Sequence, residues 1–156
     1  MKKNLCQLKL TTPRDLVAVR QRARQIAHLL GYSYQDQAAI AAGVFLLAVN
    51  AYQLSGRVIV HFELHGQNLH VVPETAARRR KTSRPQYQLV KSLPRAAANL
   101  DWDDLSWMIR QLSQMAPVGV LAEIHRQNDE MLNLLHELRV CQAELAREKP
   151  SVPVAA

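Results

Sequence analysis

The sequence predicts an α+β domain followed by a C-terminal helix that pairs as a coiled coil. Three observations lead there. The N-terminal part orders a period-two segment, two long helix-like segments and a hairpin signal. The C-terminal part steps its apolar residues by three and four without a miss. The 156 residues are 48% apolar and 21% charged, a globular balance that excludes disorder throughout and fits one domain with an appendage.

Cys6-Gln7-Leu8-Lys9-Leu10 alternates like a half-buried strand. Thr12 then stands at a helix N-cap, with Pro13 at the first helical position and Asp15 where a capping-box acid belongs. Leu16, Val19, Ala23, Ile26 and Leu30 form one apolar stripe, with Arg14, Arg20, Arg22 and Arg24 mainly off it, and Gly31 stops the helix. Ser33 and Asp36 cap a second helix that runs to about Leu54. It is apolar nearly all round, so it is expected to lie between other elements.

Arg57 to Leu64 reads as a β-branched strand, His65-Gly66-Gln67-Asn68 as a turn, and Leu69 to Val72 as the returning strand. From Pro73 to Pro85 the apolar periodicity stops, and Arg78-Arg79-Arg80-Lys81-Thr82-Ser83-Arg84 reads as a basic loop. Tyr87 to Lys91 is a further strand, an Ala/Asn linker follows, and Asp101 caps a short helix through Ile109 with acids in its first turn. Trp102 and Trp107 read as packing anchors of that helix. After Pro117 and Gly119 come two heptad columns, Leu121, Asn128, Leu135, Gln142 and Ile124, Met131, Leu138, Leu145. A polar residue in such a seam weakens pairing but fixes register and partner number, so a homodimer is expected. The boundaries that follow are 1–95, 96–116 as linker and short helix, 117–149 as coil, and 150–156 as a loose tail.

Composition limits the function classes. The net charge of +7 calls for an acidic partner without saying which. Met1-Lys2-Lys3-Asn4 is basic but leads into alternation and not a hydrophobic run, so a secretory signal is not expected. Two distant cysteines, Cys6 and Cys141, then suit reduced thiols in a cytoplasm. The apolar run Ala38 to Leu54 contains Asn50 and Gln53 and reads as a core helix, not a membrane span. The six histidines are scattered, and His61 and His65 do not share a helical face, so no metal site is expected.

The run from Arg14 to Leu64 resembles the opening of the GHKL ATPases, the gyrase B and histidine-kinase type. It is most similar to their anti-sigma-factor serine-kinase branch from bacterial partner switching. The likeness rests on a strand, an Arg/Ala-rich helix leading into Leu30-Gly31-Tyr32-Ser33, and a second helix ending in Leu46-Leu47-Ala48-Val49-Asn50-Ala51. Gly56-Arg57-Val58 then opens a hairpin. It implies a two-layer α/β sandwich, a truncated GHKL (Bergerat-like) fold with a mixed sheet and helices on one face. The family's Asn holds the magnesium that bridges the nucleotide phosphates, and Asn50 takes its place. The family's Glu one helical turn earlier acts as general base, and Leu46, which stands there, can do no such chemistry. The family's Asp-x-Gly-x-Gly loop and glycine-rich lid are also missing: the five glycines include none between Gln67 and Val118. The segment from Lys91-Ser92-Leu93-Pro94 through Leu121 to Leu132 resembles the tail leading to PP2C-type phosphatase or other output domains in bacterial signalling proteins.

The resemblance therefore implies a non-catalytic regulatory protein, without a cofactor or a catalytic residue. It would bind a protein such as a sigma factor, an antagonist or a signalling protein. Arg78, Arg79, Arg80, Lys81 and Arg84 would be the partner-binding set, and the heptad residues the dimer seam. One alternative is a residual ATP/ADP sensor or serine-kinase relative binding Mg-ATP at Asn50. A second is a basic nucleic-acid adaptor, which the lack of aromatics among the loop charges disfavours. His136-Glu137-Leu138-Arg139 starts like a phosphoacceptor box, but Val140-Cys141 departs from its Pro, and His136 reads as a solvated coil residue.

Overall fold

A computed structural model describes residues 2–75, 87–115 and 119–148. They fall into two compact units divided between Val118 and Gly119. Among the described residues the class is α+β: a four-stranded sheet and four α-helices.

In the first unit, β1 (Lys2–Leu10) is followed by α1 (Pro13–Leu29) and α2 (Tyr34–Ser55). The hairpin β2 (Val58–His65) and β3 (Asn68–Thr75) comes next, then β4 (Leu89–Ser92) and α3 (Trp102–Gln114). The sheet order is β1-β2-β3-β4, and every pairing is antiparallel. This corrects the expected mixed sheet. A single helix between neighbouring strands would return the chain parallel, but the α1–α2 pair adds a reversal, so β2 runs against β1.

Local chemistry sets the element ends. The Asp15 carboxylate accepts from the Thr11 and Thr12 amides at 2.8 Å each, opening α1. Ser33 Oγ accepts from the Asp36 amide at 3.1 Å, opening α2. Asp101 Oδ1 does the same for the Asp104 amide at 2.8 Å, opening α3. Gly56 closes α2 with φ 67°, a left-handed cap that a Cβ would strain. Gly66 has φ 57° while, among the described residues, none other than glycine has positive φ, so the Gly66-Gln67 hairpin loop is of the II′ kind.

Strand periodicity divides the sheet's side chains. Val58, Val60, Phe62 and Leu64 of β2, with Leu10 of β1 and Leu69 and Val71 of β3, are buried. They meet Val19, Ala23, Ile26 and Leu30 following α1, and Ile40, Val44 and Ala48 of α2, in one core. The segment expected as linker and short helix also enters this core, because α3 contributes Leu105, Met108 and Leu112.

Several expectations change. β1 begins at Lys2, and a bulge between Asn4 and Cys6 breaks the alternation. β3 runs through Pro73 to Thr75, past the expected end at Val72. Its pairing with β4 stops at Val71, so Pro73 lies where no β4 residue requires an N–H. α2 is not enclosed: Leu46 is 61% and Leu54 85% exposed on its outer side. α3 extends to Gln114, and its anchors are not the tryptophans, since Trp102 and Trp107 are exposed. Lys3 Nζ instead lies 5.7 Å from the Trp102 ring centre. Two α1 arginines also pack: the Arg22 guanidinium donates to the Leu112 carbonyl of α3, and Arg20 lies 6.0 Å from the Phe45 ring centre. Among the described residues, α2 alone is long and apolar enough to cross a membrane, and Ile40, Ala41, Val44 and Ala48 of this helix are buried.

The second unit is α4 (Val120–Glu148), a continuous helix of 29 residues.

Candidate interaction surfaces

Among the described residues, α4 carries a long run of exposed apolar side chains. A helix of 29 residues is about 43 Å long, enough for four heptads. Leu121, Ile124, Met131, Leu135, Leu138 and Leu145 are all exposed, and Leu132 and Leu134 widen the band on either side. Asn128 and Gln142 are exposed in the same seam, and His136 and Cys141 are exposed beside it. The exposed apolar strip runs along most of a regular helix.

Asn50 sits on α2, exposed, two helical turns after Gly43 and so on the same side of the helix. That side faces β4: a Cβ at Gly43 would come within 2.7 Å of Leu89 Cδ1, and Asp36 Oδ1 meets Lys91 Nζ at 3.0 Å. Leu46, one turn before Asn50, is likewise exposed. A groove of about 360 Å³ lies elsewhere, at the end of the sheet, walled by Leu10, Thr11, Val58, Ile59, Glu74 and Thr75. Its lining includes neither Asn50 nor Leu46. The expected partner-binding residues Arg78, Arg79, Arg80, Lys81 and Arg84 lie outside the described residues, between Thr75 of β3 and Tyr87 ahead of β4.

The sheet carries a second polar constellation that helical spacing rules overlooked. Residues 61, 63 and 65 share one face of β2 because strand period is two. Register brings His70 and Glu74 of β3 and Lys2 of β1 beside them. The Glu63 carboxylate accepts from Lys2 Nζ at 2.8 Å and pairs with His65 Nε2 at 3.1 Å. His61 Nε2 meets Glu74 Oε2 at 2.8 Å, and the His65 and His70 rings stack with centres 4.3 Å apart.

Burial by itself would raise the Glu63 pKa, but hydrogen bonds from Lys2 and His65 outweigh it and hold the carboxyl below its ordinary value. His70 is lowered, first by burial and then by the neighbouring His65. Elsewhere burial pushes the Tyr32 hydroxyl up to about 12, while its O–H donates to the Ser92 carbonyl at 2.9 Å. Burial likewise raises the Cys6 thiol, against the opposing charge of Arg22. Among the described residues, no three His, Cys, Asp or Glu side chains form a metal-binding group.

The described residues thus offer an exposed apolar strip on α4, a sheet face of paired charges and a small groove at the end of the sheet. No known protein family matches this chain, and neither a curated protein nor a solved structure shows significant similarity to it.

Proposed function

We propose that this chain is a non-catalytic regulatory protein of bacterial signalling, of the anti-sigma or partner-switching kind. It works by binding a protein partner and dimerises through α4 as a coiled coil. In this reading the first unit is a two-layer sandwich, a GHKL-type domain cut back to its scaffold. Leu46 stands where a base would be needed, and no glycine lies between Gln67 and Val118 to build a phosphate-wrapping lid.

The exposed seam of α4 carries the proposal. Its six apolar residues are each about half exposed or more in the single helix. Full burial of such a side chain contributes about 1.5–3 kcal/mol, so finishing the burial yields roughly 1 kcal/mol each and on the order of 10 kcal/mol over two helices. That is comparable with the about 4–15 kcal/mol cost of association, which makes the dimer reversible and sensitive to single seam residues.

Two measurements on the full chain test this function. Calorimetric titration with Mg-ATP and with ADP is expected to give no binding heat, and micromolar binding abolished by Asn50→Ala would contradict a non-catalytic scaffold. Sedimentation equilibrium of Leu135→Ala/Leu138→Ala is expected to give monomer where the parent chain gives dimer. An unchanged dimer would move the interface away from α4.

A further inference from the structure

We infer that α4 pairs with α4 of a second copy in parallel and in register, and that Asn128 and Gln142 fix this arrangement. The inference rests on the dimer reading above and adds the orientation of the partner. The seam has eight positions, six apolar and two carrying amides. A carboxamide bears both a donor and an acceptor, so it is self-complementary only when it faces another polar group of matching reach.

In a parallel in-register pair every seam position faces itself. Asn128 then meets Asn128 of the second copy, Gln142 meets Gln142, and the six remaining layers are wholly apolar. The antiparallel arrangement that keeps all eight layers places Asn128 against Leu138 and Gln142 against Ile124. Four layers would then press an amide against a hydrocarbon, leaving its polar atoms desolvated and without partners. A parallel pair slipped by one heptad fares no better. It sets Asn128 against Leu121 on one side and Leu135 on the other, and loses a heptad of overlap.

The flanking positions agree. In the parallel register Leu134 lies along the aliphatic stem of Arg139, Cys141 beside Ala146, and Gln127 beside Leu132 of the second copy. No like charges meet across these flanks. Asn128 and Gln142 are both solvent-exposed, so pairing takes each amide from water to an amide of the second copy.

Disulfide trapping in the full chain tests the register. The native thiols are removed as Cys6→Ser and Cys141→Ser, and a single cysteine is introduced as Ile124→Cys, Leu138→Cys or, on the outer side of the helix, Ala122→Cys. Bridged cysteines need Cα atoms within about 7 Å. The parallel register meets this for positions 124 and 138. The antiparallel one separates the two copies of position 124 by about 27 Å, and of position 138 by about 15 Å, along the axis.

In a glutathione redox buffer, Ile124→Cys and Leu138→Cys are expected to form linked dimers at least tenfold more than Ala122→Cys. Mass under reducing conditions separates the two levels of the claim. A dimeric mass without self-linkage, but with linkage in a mixture of Ile124→Cys and Gln142→Cys chains, overturns the parallel register and leaves the coil intact. A dimeric mass with no linkage at any seam position removes the seam as the interface. A monomeric mass overturns both the register and the dimer.

Discussion

Glu63 is the place where the first unit commits a nearly buried charge to its own architecture. The carboxylate side chain is 8% exposed and holds Lys2 of β1 and His65 of β2, with His70 of β3 stacked beyond. Glu63→Gln keeps the shape and removes the charge. A hydrogen bond to a charged group contributes about 1.5–3 kcal/mol, but Lys2 is 61% exposed, and water screens that partner toward the about 0–1 kcal/mol of surface pairs. The expected loss is therefore about 1–2 kcal/mol at pH 7. Because the folded pKa of Glu63 is depressed, its contribution is fully present above the ordinary carboxyl pKa of about 4.3 and is lost as pH falls through the lower folded value.

Urea unfolding followed by circular dichroism at pH 7, 5 and 3 measures this directly. The gap between parent and Glu63→Gln is expected to be present at pH 7 and 5 and to be smaller at pH 3. An equal gap at pH 3 and pH 7 would show that the carboxylate charge is not what stabilises this corner of the sheet, and no gap at pH 7 would remove the contribution altogether.

Three further outcomes are expected. Phe62 is fully buried on the second strand, so Phe62→Ala is expected to cost about 3–5 kcal/mol, a large part of a typical domain's stability, read as a lowered urea midpoint. Leu135 and Leu138 are 47% and 58% exposed in the single helix. Replacing both with Ala removes about 3 kcal/mol of dimer-only burial and raises the dimer Kd more than a hundredfold, measured by sedimentation equilibrium. Asn128→Leu is expected to tighten association while relaxing register, seen as a lower dimer Kd together with reduced selectivity of disulfide trapping at position 124.

Local signals were the legible part of the sequence. Thr12-Pro13-Arg14-Asp15, Ser33 with Asp36, and Asp101 with Asp104 each announce a helix start through side chains that accept from nearby backbone amides at that end. Those caps stand where the spacing puts them. The Gly66 turn was legible for the same reason.

What failed depended on neighbours distant in sequence. The continuation of β3 through Pro73 is possible only because β4 ends its pairing at Val71, which no local rule reveals. Trp102 and Trp107 looked like anchors by size, yet the side of α3 facing the core is set by Leu105, Met108 and Leu112, a stripe of spacing three and four. The paired charges around Glu63 were missed because the histidines were weighed on helical spacing, whereas a strand of period two places residues 61, 63 and 65 together. At the candidate surfaces, the heptad spacing of the sequence marks out the apolar side chains that α4 leaves exposed, and Asn50 is exposed on α2.

The concentration-dependent mass of the full chain under reducing conditions bears most directly on the proposed function. Sedimentation equilibrium from about 1 to 100 μM is expected to pass from 17.6 kDa toward twice that mass. It should do so at a midpoint that Leu135→Ala/Leu138→Ala moves beyond the range. A mass that stays at 17.6 kDa throughout, or a dimer indifferent to those substitutions, contradicts pairing through α4.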